Sequence, residues 1–333
     1  TPISPALMYN DIRPAGTIGI PQEITGGTPA NSRSSALSKA IWLNSRFAPH
    51  SGLVQQQADW VMACFTARPG ISDWNNSLKL GFDVEMIGWP DWIHRLLPSS
   101  IQLPRVFAPG HPVGRITPEI SRLTGLPDSA CLHAGTTDSI AAFLASGARQ
   151  PGEAVTSLGT TLVLKLCSSK PLISNKHGVY SHRLDHKRWL TGGASNSGGG
   201  ALKSAFSLDE IRTLSAKIDP EQDSGLDYYP LPANGERFPV ADPAMRPRME
   251  PVAQDKVLYL HGLLEGIARI EKKGYDLLEQ LGADKITSVR SSGGGSESPA
   301  FTRIRERIVE RPFIPSAHVD AAYGSALLAM GKI

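Results

Sequence analysis

The sequence contains no apolar run that approaches the roughly 20 residues needed to cross a bilayer, and no secretion signal opens it. It also lacks an excess of either charge, because 34 Lys and Arg face 31 Asp and Glu for a net charge of +3. Nothing in that balance favours nucleic acid or a membrane surface as a partner. The composition therefore predicts a soluble protein that binds neither.

Cysteine is scarce. Cys64, Cys131 and Cys167 are odd in number and far apart, which argues against a disulfide framework or a CxxC metal site. Their apolar neighbours predict reduced, buried thiols. The P-loop pattern GxxxxGK[ST], the dinucleotide pattern GxGxxG and the zinc-protease pattern HExxH are all missing, and the nine histidines show no metal spacing. These absences argue against P-loop, Rossmann and zinc-protease chemistry.

Two turns rich in glycine and threonine stand at the centre of the chain. The first, residues 135–138, precedes the apolar run 140–144, which places Asp138 at or beside a helix N-terminus. A helix cap alone would explain such an aspartate. The second turn, residues 159–161, joins two strand-like runs, and its hydroxyls and free amides suit a phosphate.

A third glycine cluster, Gly293–Gly295, follows a short apolar strand and precedes a helix. Three glycines let a flat ligand approach the backbone closely. Residues 192–200 form another glycine-rich run, which is either a flexible linker or the border of a ligand site. Three glycine-rich segments are thus candidates for holding one ligand.

At 333 residues the chain favours two domains. From residue 154 onward we predict three strands, then a helix over about 257–281, then a strand, a helix over 299–309, a strand and a final helix. The intervening residues 219–252, rich in Pro and Asp, predict an insertion with little regular structure. This order suits an α/β fold with one mixed sheet covered by helices.

Five segments in this order resemble the FGGY family of ATP-dependent carbohydrate kinases, whose two lobes have the ribonuclease H-like fold of actin and hexokinase. They read AGTTD at 134–138, SLGTT at 157–161, LEGIA at 264–268, GGGS at 293–296 and AYGSALL at 322–328. The run from 134 to 161 is most similar to the D-ribulose kinase-like, xylulokinase-related branch of cyanobacteria and plant plastids. The resemblance implies a protein of the cytoplasm, or of the plastid stroma in a plant.

The resemblance implies that residues 1–150 are the C-terminal part of the sugar-binding lobe and residues 151–333 the nucleotide-binding lobe. It implies ATP and Mg²⁺ as cofactors, and a pentulose such as D-ribulose as substrate, with no metal-ligating side chain identified. It assigns Asp138 as the general base. The implied nucleotide contacts are Gly159, Thr160, Thr161, Gly293, Gly294, Gly295 and Ser298. The implied sugar contacts are Asp11, Asp73 and Thr137.

One departure from the family pattern is large. The Asp-x-Gly-Thr turn with which the family begins does not occur in this sequence, so we expect an incomplete first lobe, weak nucleotide binding and little transfer from residues 1–333 alone. Three alternatives stay open: a xylulokinase or other polyol kinase, a catalytically impaired sugar- or nucleotide-binding protein, and a serine hydrolase using Ser195 or Ser197. No GxSxG elbow surrounds either serine.

Overall fold

The computed structural model describes residues 2, 4–16, 28–32, 34–47 and 51–332. The chain divides into two compact units, the first of residues 1–138, 182–185 and 325–333 and the second of residues 139–181 and 186–324. The division into functional lobes near residue 150 stays a prediction. In the described part of the chain, no helix is both long enough and apolar enough to span a membrane.

The helices differ greatly in length, from single turns to one of 25 residues. The α-helices are α1 Ala36–Phe47, α2 Gln57–Thr66, α3 Trp74–Ser77, α4 Ile93–Leu96, α5 Pro118–Thr124, α6 Asp138–Ala145, α7 Gly199–Lys203, α8 Leu208–Ser215, α9 Lys256–Gln280, α10 Pro299–Val309 and α11 Ala321–Ala329. Short 3-10 turns cover Arg13–Gly16, Pro29–Asn31, Leu78–Leu80, Asn175–His177 and Gly294–Glu297.

The strands form one five-stranded sheet and three two-stranded ones. They are β1 Gly52–Leu53, β2 Ile71–Asp73, β3 Ile101–Gln102, β4 Arg105–Phe107, β5 Pro112–Arg115, β6 Cys131–His133, β7 Glu153–Leu158, β8 Leu162–Ser168, β9 Tyr180–Arg183, β10 Trp189–Ser195 and β11 Ser288–Ser292. The large sheet has the order β11-β7-β8-β10-β9. Within it β11 runs parallel to β7, while β7 with β8 and β8 with β10 are antiparallel.

The long helix α9 builds the core of the second unit. Its apolar residues recur at helical spacing, and Leu260, Leu263 and Ile267 are at most 1 % exposed. Fully burying each such side chain contributes about 1.5–3 kcal/mol. Asp255 caps the first turn by accepting from the Val257 amide at 2.8 Å. The helix predicted over 257–281 is confirmed.

Two other predictions for the second unit hold, whereas the strand predicted after α10 forms only an isolated parallel bridge between Phe313 and Val289 among the described residues. Helix α10 has the predicted bounds, and β10 and β9 follow β8 in the order of the five-stranded sheet. The segment 219–252 contains no helix or named strand among the described residues. The strand predicted between the two helices is β11, Ser288–Ser292, and residues 283–287 before it form the loop that follows α9.

The cysteine prediction is correct for only one residue. None of the three cysteines, all within the described residues, forms a disulfide; Cys64 and Cys131 are exposed and only Cys167 is buried. Cys64 lies on the outer face of α2, next to the exposed Val61, and Cys131 is the first residue of β6. The apolar sequence neighbours of Cys64 and Cys131 did not predict burial of the thiols, because adjacent side chains on a helix or at a strand end point in different directions.

Candidate active site

Four strand ends bring the nucleotide candidates together in the second unit. The turn 159–161 lies between the end of β7 and the start of β8, and Ser195 at the end of β10 is the register partner of Leu162. Strand β11 ends at Ser292, paired in parallel with Ser157. The glycine segments that follow β7, β10 and β11 therefore leave the sheet at one edge.

Backbone hydrogen bonds hold the first two segments against each other. The amides of Gly199 and Gly200 each donate at 2.9 Å, to the carbonyl oxygens of Gly159 and Thr160 respectively. A Cβ added at Gly199 would lie 2.9 Å from the Gly159 oxygen, so only glycine allows this approach. Residues 192–200 are consequently the end of β10 and the start of α7, and the linker interpretation is wrong.

The third segment contacts the same turn through Leu158. Gly293 has φ +82°, and a Cβ there would lie 2.8 Å from the Leu158 carbonyl oxygen. A Cβ on Gly295 would lie 2.8 Å from the Leu158 Cβ, whereas one on Gly294 would meet nothing within 4 Å. Gly294 is exposed. The backbone here thus forms an open platform beside the turn 159–161.

Polar side chains border this platform. Thr160 is exposed and Thr161 half-buried, so both hydroxyls are near solvent. The hydroxyl of Ser298 accepts from the Phe301 amide at 3.3 Å and caps α10. A nucleotide contact by Ser298 stays a prediction, because its side chain already has this structural partner.

Asp138 lies in the first unit, at the start of α6. It is the first helical residue and is exposed, while Ile140, Ala141 and Phe143 bury the other face of the helix. A carboxylate in the first turn is stabilised by the unpaired amides and the helix dipole.

A buried amide fixes the turn that carries Asp138. Asn75 in α3 is 2 % exposed and its Nδ2 donates to the Thr136 hydroxyl at 3.1 Å. Thr137, the predicted sugar contact, follows in the same turn and is half-buried. Sequence analysis did not identify Asn75, because its partner is 61 residues away and no local pattern marks it.

Asp73 is positioned as a buried helix cap. It is 2 % exposed, and its Oδ1 accepts from the Asn75 and Asn76 amides, both at 2.9 Å. Oδ2 accepts from the Asn76 side chain at 2.5 Å. A sugar contact by Asp73 stays a prediction, and the sugar would compete with Asn75 and Asn76 for the same carboxylate oxygens.

Asp73 gives the first unit a pH-dependent stability. Burial raises the pKa of Asp73 to about 7, against bonds from Asn76 that lower it. A raised folded-state pKa means that the folded chain holds the proton more tightly, so the free energy of unfolding should fall as pH rises through 7. We expect a loss of about 1 kcal/mol between pH 6 and pH 8. Urea midpoints of the parent and of Asp73→Asn check this, since the variant should lose part of the slope; an equal slope in both contradicts the assignment.

Asp11 is paired within its own loop. Its carboxylate accepts from Arg13 Nε at 3.0 and 2.9 Å and from the Arg13 amide at 3.0 Å. The Arg13 side-chain bonds, followed by the backbone bond, lower the pKa of Asp11 to about 2. A sugar contact by Asp11 remains a prediction, and it would compete with Arg13 for the same oxygens.

Comparison with known proteins identifies the family. Residues 154–332, more than half of the chain, match the model of the C-terminal domain of the FGGY family of carbohydrate kinases. The chain belongs to the FGGY family. It is 24 % identical over 267 residues to a gluconokinase of Bacillus subtilis, covering 73 % of this chain and 50 % of that protein. It thus spans about half the length of that curated relative.

Two further relatives match nearly the whole chain. A xylulose kinase of Streptomyces coelicolor is 26 % identical over 360 residues, covering 100 % of this chain and 70 % of that protein. The solved structure of a xylulose kinase from Brucella ovis superposes with a TM-score of 0.83 at 22 % identity, covering 98 % of this chain and 70 % of that one. The predicted ribonuclease H-like fold of the actin and hexokinase type is confirmed.

The FGGY chain also contains functional candidates that the sequence did not reveal. Ser195 and Ser197 are fully buried, which removes the support for a serine hydrolase, and Ser195 donates to Glu236 at 2.6 Å. Glu236 lies in the segment predicted as an irregular insertion. Its contacts are non-local, and no local pattern of charge or spacing could have indicated them.

Proposed function

We propose that this FGGY chain takes part in ATP-dependent phosphorylation of a sugar hydroxyl, with a pentulose such as D-ribulose as acceptor. Residues 151–333 act as the nucleotide-binding lobe and residues 1–150 as the C-terminal part of the sugar-binding lobe. The observation that carries the proposal is the convergence of residues 159–161, 198–200 and 293–295 at one edge of the second unit's sheet.

The platform at Gly293–Gly295 fits a nucleoside. Close approach of a flat ring requires a backbone without side chains, and the space above Gly294 is open. Thr160 and Thr161 offer hydroxyl and amide groups to the phosphates on the neighbouring turn. ATP would supply the γ-phosphoryl group that is transferred.

Asp138 has the chemistry of the general base. It accepts the proton of the attacking sugar hydroxyl while that oxygen bonds to the γ-phosphorus and the bond to the leaving ADP breaks. Its exposed position at the start of α6 leaves the carboxylate accessible to a substrate. Asn75 and Thr136 keep the turn before it in place.

Magnesium is expected to come with the nucleotide. Among the described residues, no group of three or more His, Cys, Asp or Glu could hold a metal ion. Mg²⁺ in kinases is bound mainly through the phosphates, its own waters and one or two carboxylates. We therefore assign no protein ligand to it.

The acceptor is the finer part of the proposal. D-Ribulose is favoured by the similarity of residues 134–161 to the ribulose kinase-like branch, whereas the matched relatives are a gluconokinase and xylulose kinases. D-Xylulose is accordingly the second candidate. ADP release measured with D-ribulose, D-xylulose and D-gluconate, in a protein that also carries a first-lobe phosphate-binding turn, distinguishes them. Preference for gluconate would contradict a pentulose.

Gly294→Val tests the nucleotide site directly. A Cβ at Gly294 meets no protein atom within 4 Å, so valine should leave the fold intact, but it occupies the space assigned to the adenosine. We expect ATP to bind more than about tenfold more weakly by calorimetry. Ala233→Val, an exposed change in the same unit, is the control and should bind ATP like the parent. Unchanged affinity in Gly294→Val means that the nucleotide binds elsewhere.

The same calorimetry tests the alternative that this chain binds ATP without transferring its phosphoryl group. Residues 1–333 that bind ATP without releasing ADP would fit the absence of the Asp-x-Gly-Thr turn from this sequence. Turnover comparable to that of a chain supplemented with this turn would mean that another residue here replaces it.

A further inference from the structure

Glu236 is a buried carboxylate that accepts four hydrogen bonds. It is 3 % exposed, and none of the ion pairs found among the described residues includes it. Oε2 accepts from the Ser195 hydroxyl at 2.6 Å and the Tyr229 hydroxyl at 3.0 Å. Oε1 accepts from the amides of Asn196 and Arg237, at 2.7 and 2.8 Å. A carboxylate removed from water needs such donors, so these groups are fixed around it.

The contacts of Glu236 lead directly to the glycine segment after β10. Ser195 Oγ donates to Glu236 and also accepts from the Ser197 amide at 3.0 Å. The Ser197 carbonyl oxygen in turn accepts from the Leu162 amide at 2.7 Å, and Leu162 is the residue that follows the turn 159–161. Three consecutive hydrogen bonds thus connect the carboxylate with the residue that follows the turn.

A second contact prevents the segment from rotating. The Asn196 side chain donates to the Gly235 carbonyl oxygen at 2.9 Å, while its amide donates to Glu236. Residues 195–197 are therefore held on both sides of the backbone. Gly198, with φ +128°, is the next residue, and the amides of the two glycines after it donate to the turn 159–161.

We propose that Glu236, acting through Ser195, is a positioning residue that sets the phosphate-binding turn 159–161 of this kinase. This inference rests on the proposed nucleotide site. Glu236 itself is too deeply buried to touch the nucleotide, and it acts by fixing the backbone of residues 195–200, whose amides in turn hold the turn. Nucleotide affinity should therefore depend on two side chains that do not contact the ligand.

Ser195→Ala is the main test, because it removes one hydroxyl and leaves the carboxylate three other donors. We expect it to weaken binding of both ATP and ADP about tenfold, near the lower end of what a hydrogen bond to a charged group contributes. Ser181→Ala is the matched control: Ser181 is also buried, on the neighbouring strand β9, and its hydroxyl bonds to Leu172 and Thr191. It should lower the melting temperature similarly without changing either dissociation constant.

Glu236→Gln and the double variant Ser195→Ala/Glu236→Gln complete the design. Both substitutions act on one chain of bonds, so their effects on ATP affinity should not add. Equal ATP affinity in Ser195→Ala and the parent overturns the inference, and so does an equal loss in Ser181→Ala, which would reflect general loosening. If the unaltered chain binds neither ATP nor ADP, the proposed function fails and this inference falls with it.

Discussion

Asp138→Asn is expected to lower turnover by about 10²- to 10⁴-fold, the usual contribution of a general base, while sugar and ATP still bind. Asparagine keeps the size and the helix-start position of the side chain, and asparagine is tolerated at helix N-termini. What it loses is the ability to take a proton from the sugar hydroxyl. Helix α6 should therefore stay folded in the variant, while proton transfer from the sugar hydroxyl is lost.

The measurement separates the two interpretations of Asp138. Turnover is followed as ADP release in a protein that carries the first-lobe turn, and dissociation constants are obtained by calorimetry. Asp209→Asn is the control, since Asp209 is an exposed aspartate in the first turn of α8. If Asp138→Asn retains turnover within a few-fold of the parent, Asp138 acts only as a helix cap and not as the general base.

Arg305→Met is expected to produce the largest loss of stability, about 3–5 kcal/mol, because it leaves the charge of Glu271 buried and unpaired. Both residues are 0 % exposed. The guanidinium donates through Nε and Nη2 to the two Glu271 oxygens at 2.6 and 2.7 Å, and through Nη1 to the Ser291 hydroxyl at 2.7 Å. These bonds connect α10, α9 and β11 in one network.

The control lies two residues earlier on the same helix. Arg303 is exposed and pairs with Glu306 at 3.4 Å, so Arg303→Met should change stability by less than about 0.5 kcal/mol. Urea midpoints provide the comparison. The double variant Arg305→Met/Glu271→Leu should be more stable than Arg305→Met, since it removes both charges. Greater instability of the double variant would argue that packing, not charge, dominates at this position.

Periodicity and turn chemistry made most of the second unit predictable. The apolar positions of α9 repeat at helical spacing over seven turns, and the turn 159–161 is marked by glycine and threonine between two apolar runs. These are local signals, because one helix face or one tight turn is encoded within a few residues. The same holds for α10, whose start is marked by Pro299.

Burial and partner choice were not predictable in this way. Asp73 has the polar neighbours of a ligand-binding loop, yet those neighbours fold back onto its carboxylate and enclose it. Glu236 meets Ser195 from 41 residues away. Such contacts are made by the tertiary structure, and a single sequence carries no periodic trace of them.

Some glycines at this end of the sheet are required by the packing of the backbone, and another is required only by the proposed nucleotide. Gly199 and Gly293 lie against backbone carbonyl oxygens, so no second substitution nearby could make room for a side chain. Any descendant that keeps this sheet edge must keep them, even after it has ceased to bind a nucleotide. Gly294 is under no such constraint from the protein itself. In a related sequence, replacement of the residue at the position of Gly294 would therefore indicate a chain that keeps the fold but no longer binds the nucleotide.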